Sequence, residues 1–161
     1  FVIHLSTRFV HIAGVTTAPN GAFMKQVARN LTDVGDGFLS DKAFLIMDRD
    51  TKYTDGFRDF LDREGVKPVR CPVRAPNCNA FAERFVRSIK DECLDRFILF
   101  GEASLRRALR EYGAHYHSER NHQGVGNQLL RPVATSNSTD EPVQCHERLG
   151  GMLNYYYREA A

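Results

Sequence analysis

Apolar residues along this chain fall into short runs and helical steps separated by turn-forming residues. Phe1 to Leu5 and Val10 to Val15 read as two strands, and Ser6-Thr7-Arg8 between them is short enough for a hairpin. Pro19-Asn20-Gly21 marks a turn and a helix start. Phe23, Val27, Leu31 and Val34 then recur at helical spacing until Gly35-Asp36-Gly37 stops the pattern. Phe44 to Asp48 is a continuous apolar run closed by a carboxylate, the kind of strand buried on both faces. Phe57, Phe60 and Leu61 predict a short helix up to Gly65. Val66 to Cys71 predicts a further short strand, in which Pro68 is tolerable only near an edge. Asn79 suits the N-cap of a helix running to about Leu99, and a last helix covers about Glu102 to His117. Beyond Arg120 the periodicity is lost. Arg131 to Pro142, rich in Ser, Thr, Asn, Asp and Pro, reads as a linker or extended tail, and Leu149 to Tyr157 as a terminal strand or packing arm. The order β-β-α-β-α-β-α-α implies an α/β class: a mixed sheet flanked by helices.

A length of 161 residues suits one domain with a sizeable core, and 42% hydrophobic with 26% charged residues is a folded composition rather than a disordered one. Residues 1–120 are read as the domain and 121–161 as a C-terminal extension. There is no run of about 18 apolar residues and no basic-then-apolar leader, so neither a membrane span nor a signal peptide is expected, and the location expected is cytoplasmic. Phe1-Val2-Ile3 opens inside a strand pattern without Met or cap, which reads as an N-terminal truncation. The four cysteines, Cys71, Cys78, Cys93 and Cys145, lack C-x-x-C spacing and read as buried or incidental thiols rather than a zinc site.

A net charge of +2 by itself implies no polyanionic partner. From Arg58 to Lys90, however, eight basic residues face four acidic ones. That local excess accompanies two carboxylates placed for chemistry. Asp48 ends the apolar strand, and Glu83 opens the long helix, 83 − 48 = 35 positions later. A carboxylate at a strand end and another on an amphipathic helix can converge on a divalent cation, which prefers oxygen ligands and promotes phosphoryl transfer. On the helix, Ala82, Phe85, Val86, Ile89, Cys93 and Phe97 make one apolar stripe. Glu83, Arg87 and Lys90 fall within an arc of about 60° beside it, a border position where a carboxylate can be half-buried. A solvated Glu–Arg pair worth about 0.3–0.5 kcal/mol would show the same helical spacing; the strand-ended Asp48 tips the reading toward a metal site. Asp50 points the same way as Asp48 in an extended strand and competes with it, though its place suits the turn leading to Lys52-Tyr53.

At these residues the chain resembles the retroviral-integrase-like catalytic core of Asp–Asp–Glu integrases and transposases, common in bacterial insertion sequences. Val2-Ile3-His4-Leu5-Ser6-Thr7-Arg8 is similar to that family's second-strand motif. Met47-Asp48-Arg49-Asp50-Thr51-Lys52-Tyr53 is similar to its second-aspartate motif, and Pro76 to Phe85 to the segment ending in its glutamate. Tyr116-His117-Ser118-Glu119-Arg120-Asn121-His122 is similar to its closing segment. The likeness covers about residues 1–126. It implies a ribonuclease-H-like fold with the first strand missing, and Asp48 and Glu83 as catalytic metal ligands for two Mg²⁺ or Mn²⁺ ions. It also implies strand transfer on DNA by a homo-oligomer, and Arg84, Arg87 and Lys90 as DNA contacts. His4, His117 and Asn121 depart from the family's frequent Asp, Asn and Pro. The family's first catalytic aspartate lies on a strand before the position of Phe1, and no residue among 1–16 is acidic. Two further readings stay open: a ribonuclease-H-type nuclease using the same metals, and a non-catalytic DNA-binding remnant of a mobile element.

Overall fold

A computed structural model describes residues 1–132 and 141–158. Ten regular elements follow in the order β1 (Val2–Ile3), β2 (Val10–His11), α1 (Gly21–Leu31), β3 (Phe44–Met47), α2 (Asp55–Arg63), β4 (Lys67–Arg70), α3 (Ala80–Glu92), α4 (Gly101–Ser118), β5 (Gln144–Arg148) and β6 (Leu153–Tyr157). The class is mixed α/β, as expected, but the described strands form three two-stranded sheets, β1-β2, β3-β4 and β5-β6. The chain divides into two compact units, one holding Phe1–Ile3 and His11–Glu83, the other His4–Val10 and the residues from Arg84 onward.

The first unit is built on α1 and α2. The Asn20 side chain accepts the Phe23 N–H at 3.0 Å and so caps α1, as Pro19-Asn20-Gly21 predicts. Thr54 caps α2 in the same manner. Met24, Val27, Ala28 and Leu31 of α1 and Phe57 and Leu61 of α2 bury their apolar faces together with Leu39, Met47 and Val66. Helix α1 stops at Leu31, not Val34, which is 96% exposed. The reason lies at Gly37. A Cβ there would sit 2.4–2.7 Å from backbone atoms of Asp33 and Leu31, so the returning chain packs against the helix end with no side chain between them.

Strands β3 and β4 run parallel, with Ile46 opposite Val69 and Met47 opposite Arg70. The expectation that Phe44 to Asp48 is buried on both faces is not met. Met47 is buried and Leu45 packs on the core, whereas Phe44 and Ile46 are 61% and 41% exposed. A continuous apolar run gives no clue to face, and this two-stranded sheet is covered on one side only. Pro68 sits in a strand with a single neighbour, as its missing N–H requires.

In the second unit α3 buries Phe85 and Ile89, and Cys93 just beyond its end is buried too, three positions of the stripe read from the sequence. Asn79 is not an N-cap. It ends a 3-10 turn over Pro76–Asn79 that leads straight into α3. The helix also ends at Glu92 instead of near Leu99, because Cys93 leaves helical geometry and a 3-10 turn over Leu94–Arg96 follows. Phe85 packs edge-on to Tyr116 with ring centres 5.1 Å apart, and beside Tyr112 at 6.2 Å. The terminal strand read at Leu149 to Tyr157 is β6, and β5 pairs with it antiparallel. Leu149, Gly150 and Gly151 turn the corner with positive φ. Most of the linker read at Arg131 to Pro142 lies outside the described residues. Among the described residues no helix is long and apolar enough to cross a membrane.

Candidate metal and nucleic-acid site

Asp48 follows β3 directly, at the carboxyl end of the parallel pair. Its neighbourhood is fixed by backbone ties: Cys71 N–H donates to Met47 O at 2.8 Å, and Arg49 Nε donates to Cys71 O at 3.0 Å. Asp48 is exposed, and its Oδ1 accepts the Asp50 N–H at 3.0 Å. Asp50 takes the turn role its position suits: it accepts the Lys52 N–H at 2.9 Å and pairs with Lys52 Nζ at 2.6 Å. That hydrogen bond holds the Asp50 carboxyl below its ordinary range. Burial opposes the charge on Lys52, but Asp50, Tyr53 and Asp48 together hold its ammonium above the usual value. The Asp48 charge also reaches Cys71, whose thiol is pushed up first by burial, then by Cys78 and Asp48. Lys52 and Cys71 therefore belong to the Asp48 environment. Sequence reasoning gives neither a role here: Lys52 reads only as part of the motif and turn after Asp50, and Cys71 only as a buried or incidental thiol.

Glu83 lies in the first turn of α3, where the positive end of the helix dipole suits a carboxylate. It belongs to the same compact unit as Asp48. It is exposed, as are Arg84, Arg87 and Lys90. The border position argued from the 60° arc thus places Glu83 at the surface rather than half-buried, because the inward stripe of α3 is narrow and centred on Phe85 and Ile89. Among the described residues no group of three or more His, Cys, Asp or Glu side chains is arranged to hold a metal ion. The four cysteines are free thiols, Cys71 and Cys93 buried, Cys78 and Cys145 exposed.

Residues 64–129 match the family described as integrase core domain. Over this stretch the chain is similar to integrase cores. The matched segment takes in β4, α3 with Glu83, α4 and the Tyr116 to His122 segment; Asp48 precedes it. No curated protein and no solved structure matches the chain significantly. In the matched segment the sequence reading links no residues across the helices, yet Glu92, Tyr112 and Arg120, of which only Arg120 falls in a quoted motif, join the end of α3 to α4. Arg120 Nε and Nη2 donate to the Glu92 carboxylate at 2.7–3.1 Å, and Tyr112 Oη donates to it at 3.1 Å. Their separation by 20 and 28 positions leaves no periodic signal.

Proposed function

We propose that this chain is a catalytic-core segment of a DNA integrase or transposase that acts by divalent-metal-dependent phosphoryl transfer. The observation that carries the reading is the integrase-core match across the helix that bears Glu83. The fold proposed is ribonuclease-H-like, with residues 1–120 as the core and 121–161 as an extension; the partners are DNA and further copies of the chain. Asp48 and Glu83 fit the metal in kind: both are exposed carboxylates, hard oxygen donors, in one compact unit. They would hold Mg²⁺ or Mn²⁺. When bound, such ions activate the attacking oxygen and stabilise the leaving one.

The chain's own residues supply the remainder. Arg84, Arg87 and Lys90, exposed along α3, hold backbone phosphates. Lys52, paired to Asp50, keeps a positive charge near Asp48. No side chain need form a covalent bond to DNA, so the six tyrosines are not required as nucleophiles. The resemblance implies three carboxylates, and this sequence offers two at matching positions. The 161-residue chain alone is therefore expected to show no strand transfer, and robust Mg²⁺-dependent joining by it would contradict that.

The metal reading is tested by titrating Mn²⁺ into the chain and following free ion by electron paramagnetic resonance. Asp48→Asn and Glu83→Gln should each weaken binding, and titrations superimposable on the unsubstituted chain would overturn the site. In the full enzyme, cleaved but never joined DNA would favour the nuclease reading.

A further inference from the structure

Arg120 is a cation within the integrase-core segment, and its simplest use would be a phosphate contact. Its geometry points elsewhere. Nε donates to both oxygens of Glu92, at 3.1 and 2.9 Å, Nη2 donates to Oε1 at 2.7 Å, and Nη1 donates to Asn121 O at 3.3 Å. All three guanidinium nitrogens are thus engaged. The guanidinium carbon also lies 5.8 Å from the centre of the Tyr116 ring. Glu92 in turn accepts from Tyr112, a side chain with no exposed surface. Burial, and then the Glu92 charge, push the Tyr112 phenol up, so it stays a donor.

Glu92 is the last residue of α3, where the negative end of the helix dipole disfavours a carboxylate. Arg120 offsets that charge and keeps the final turn wound against α4. The same helix carries Arg84, Arg87 and Lys90 at i, i+3 and i+6, within about 120° of one another. Lys90 is two residues from Glu92, so unwinding of the last turn would scatter it first.

We propose that Arg120 is a positioning residue for DNA binding: locked onto Glu92 and supported by Tyr112, it holds the basic face of α3 in place and does not itself contact phosphate. The proposal rests on the reading of Arg84, Arg87 and Lys90 as the DNA face.

The two ideas separate in one assay, the binding of a fluorescent DNA duplex over a series of salt concentrations. Arg87→Ala and Lys90→Ala test the DNA face; each should flatten the dependence of log affinity on log salt by about one unit. If neither does, the functional reading fails. The positioning role is tested by Glu92→Gln. Deleting a negative charge near a DNA-binding face should tighten binding if Glu92 acts only through its charge or only restrains a phosphate-contacting Arg120. Positioning requires the opposite, a weakening of about 3- to 10-fold, with a similar loss in Arg120→Ala and partial recovery in Arg120→Lys. Tyr112→Phe, which changes no charge and removes one donor, should weaken binding in the same direction and covers the case in which Glu92→Gln folds poorly. Binding is measured where circular dichroism shows each variant folded. Glu92→Gln or Tyr112→Phe binding as tightly as the unsubstituted chain, or more tightly, would overturn the proposal.

Discussion

Glu119 ties three side chains together in the second unit. Its carboxylate is only 6% exposed, at the end of α4. It accepts from Arg148 Nε at 3.0 Å on both oxygens and from Arg148 Nη2 at 2.6 Å, and it meets His115 Nδ1 at 3.0 Å and His146 Nδ1 at 3.1 Å. Arg148 in turn donates to Glu111 at 2.9 Å. Strand β5 contributes His146 and Arg148, so this carboxylate fastens the β5–β6 hairpin to α4. Glu119→Ala leaves a largely buried guanidinium short of its main partner, and breaking such a pair costs about 3–5 kcal/mol. Arg148 keeps Glu111, so we expect the lower end, about 3 kcal/mol. Burial by itself would raise the Glu119 carboxyl, but the Arg148 and His115 hydrogen bonds outweigh it, and the net shift is downward. A carboxyl lowered in the folded state stabilises above its unfolded pKa of about 4.3 and loses that contribution as pH falls through the folded value. Urea unfolding followed by far-ultraviolet circular dichroism, at pH 7 and again well below pH 4, measures both effects; the chain has no Trp to report by fluorescence. The difference between the two proteins should be large at pH 7 and shrink in acid. A difference that is pH-independent, or Glu119→Ala and Arg148→Ala effects that simply add, would refute the reasoning.

Gly37→Ala should destabilise the first unit by about 1–3 kcal/mol, since its Cβ meets backbone that cannot swing aside; a neutral thermal melt would contradict the close approach. His117 accepts the Val10 N–H at 3.0 Å through Nε2, with the Phe9 ring stacked 4.0 Å away. Burial, then Arg131 and His122, lower its pKa to about 4. The folded state thus resists protonation, and stability should fall as pH drops from about 6.5 toward 4. In His117→Gln, which keeps an acceptor, that part of the slope should disappear from urea midpoints measured across the range, and an unchanged slope would assign it to other groups.

How far the sequence speaks depends on whether an interaction is local. Asn20 can be read as a cap because its partner, Phe23, is three residues away. The stripe Phe85, Ile89 and Cys93 is legible because helical periodicity repeats it. Strand β5, Gln144-Cys145-His146-Glu147-Arg148, has no apolar alternation to read. It is a strand because β6 pairs with it and because Arg148 reaches Glu119, 29 positions earlier. Phe97 extends the apolar stripe of α3 in sequence, yet the helix has already ended at Glu92, whose partner is 28 positions later. For the candidate site, the placement of Asp48 at a strand end and Glu83 on a helix was legible. The depth of both was not, because burial is set by what the rest of the chain lays over them.

The uncovered side of β3 has a practical consequence for anyone handling this protein. Among the described strands β3 pairs with β4 alone, which leaves its second edge beside Phe44 and Ile46 without a described partner strand. No charge or proline interrupts Phe44-Leu45-Ile46-Met47, the devices that usually keep such an edge from recruiting another strand. Purified at high concentration, the chain should self-associate through this edge into β-rich aggregates. A single lysine in place of Ile46 should raise the concentration at which light scattering appears, with the buried face, Leu45 and Met47, left intact.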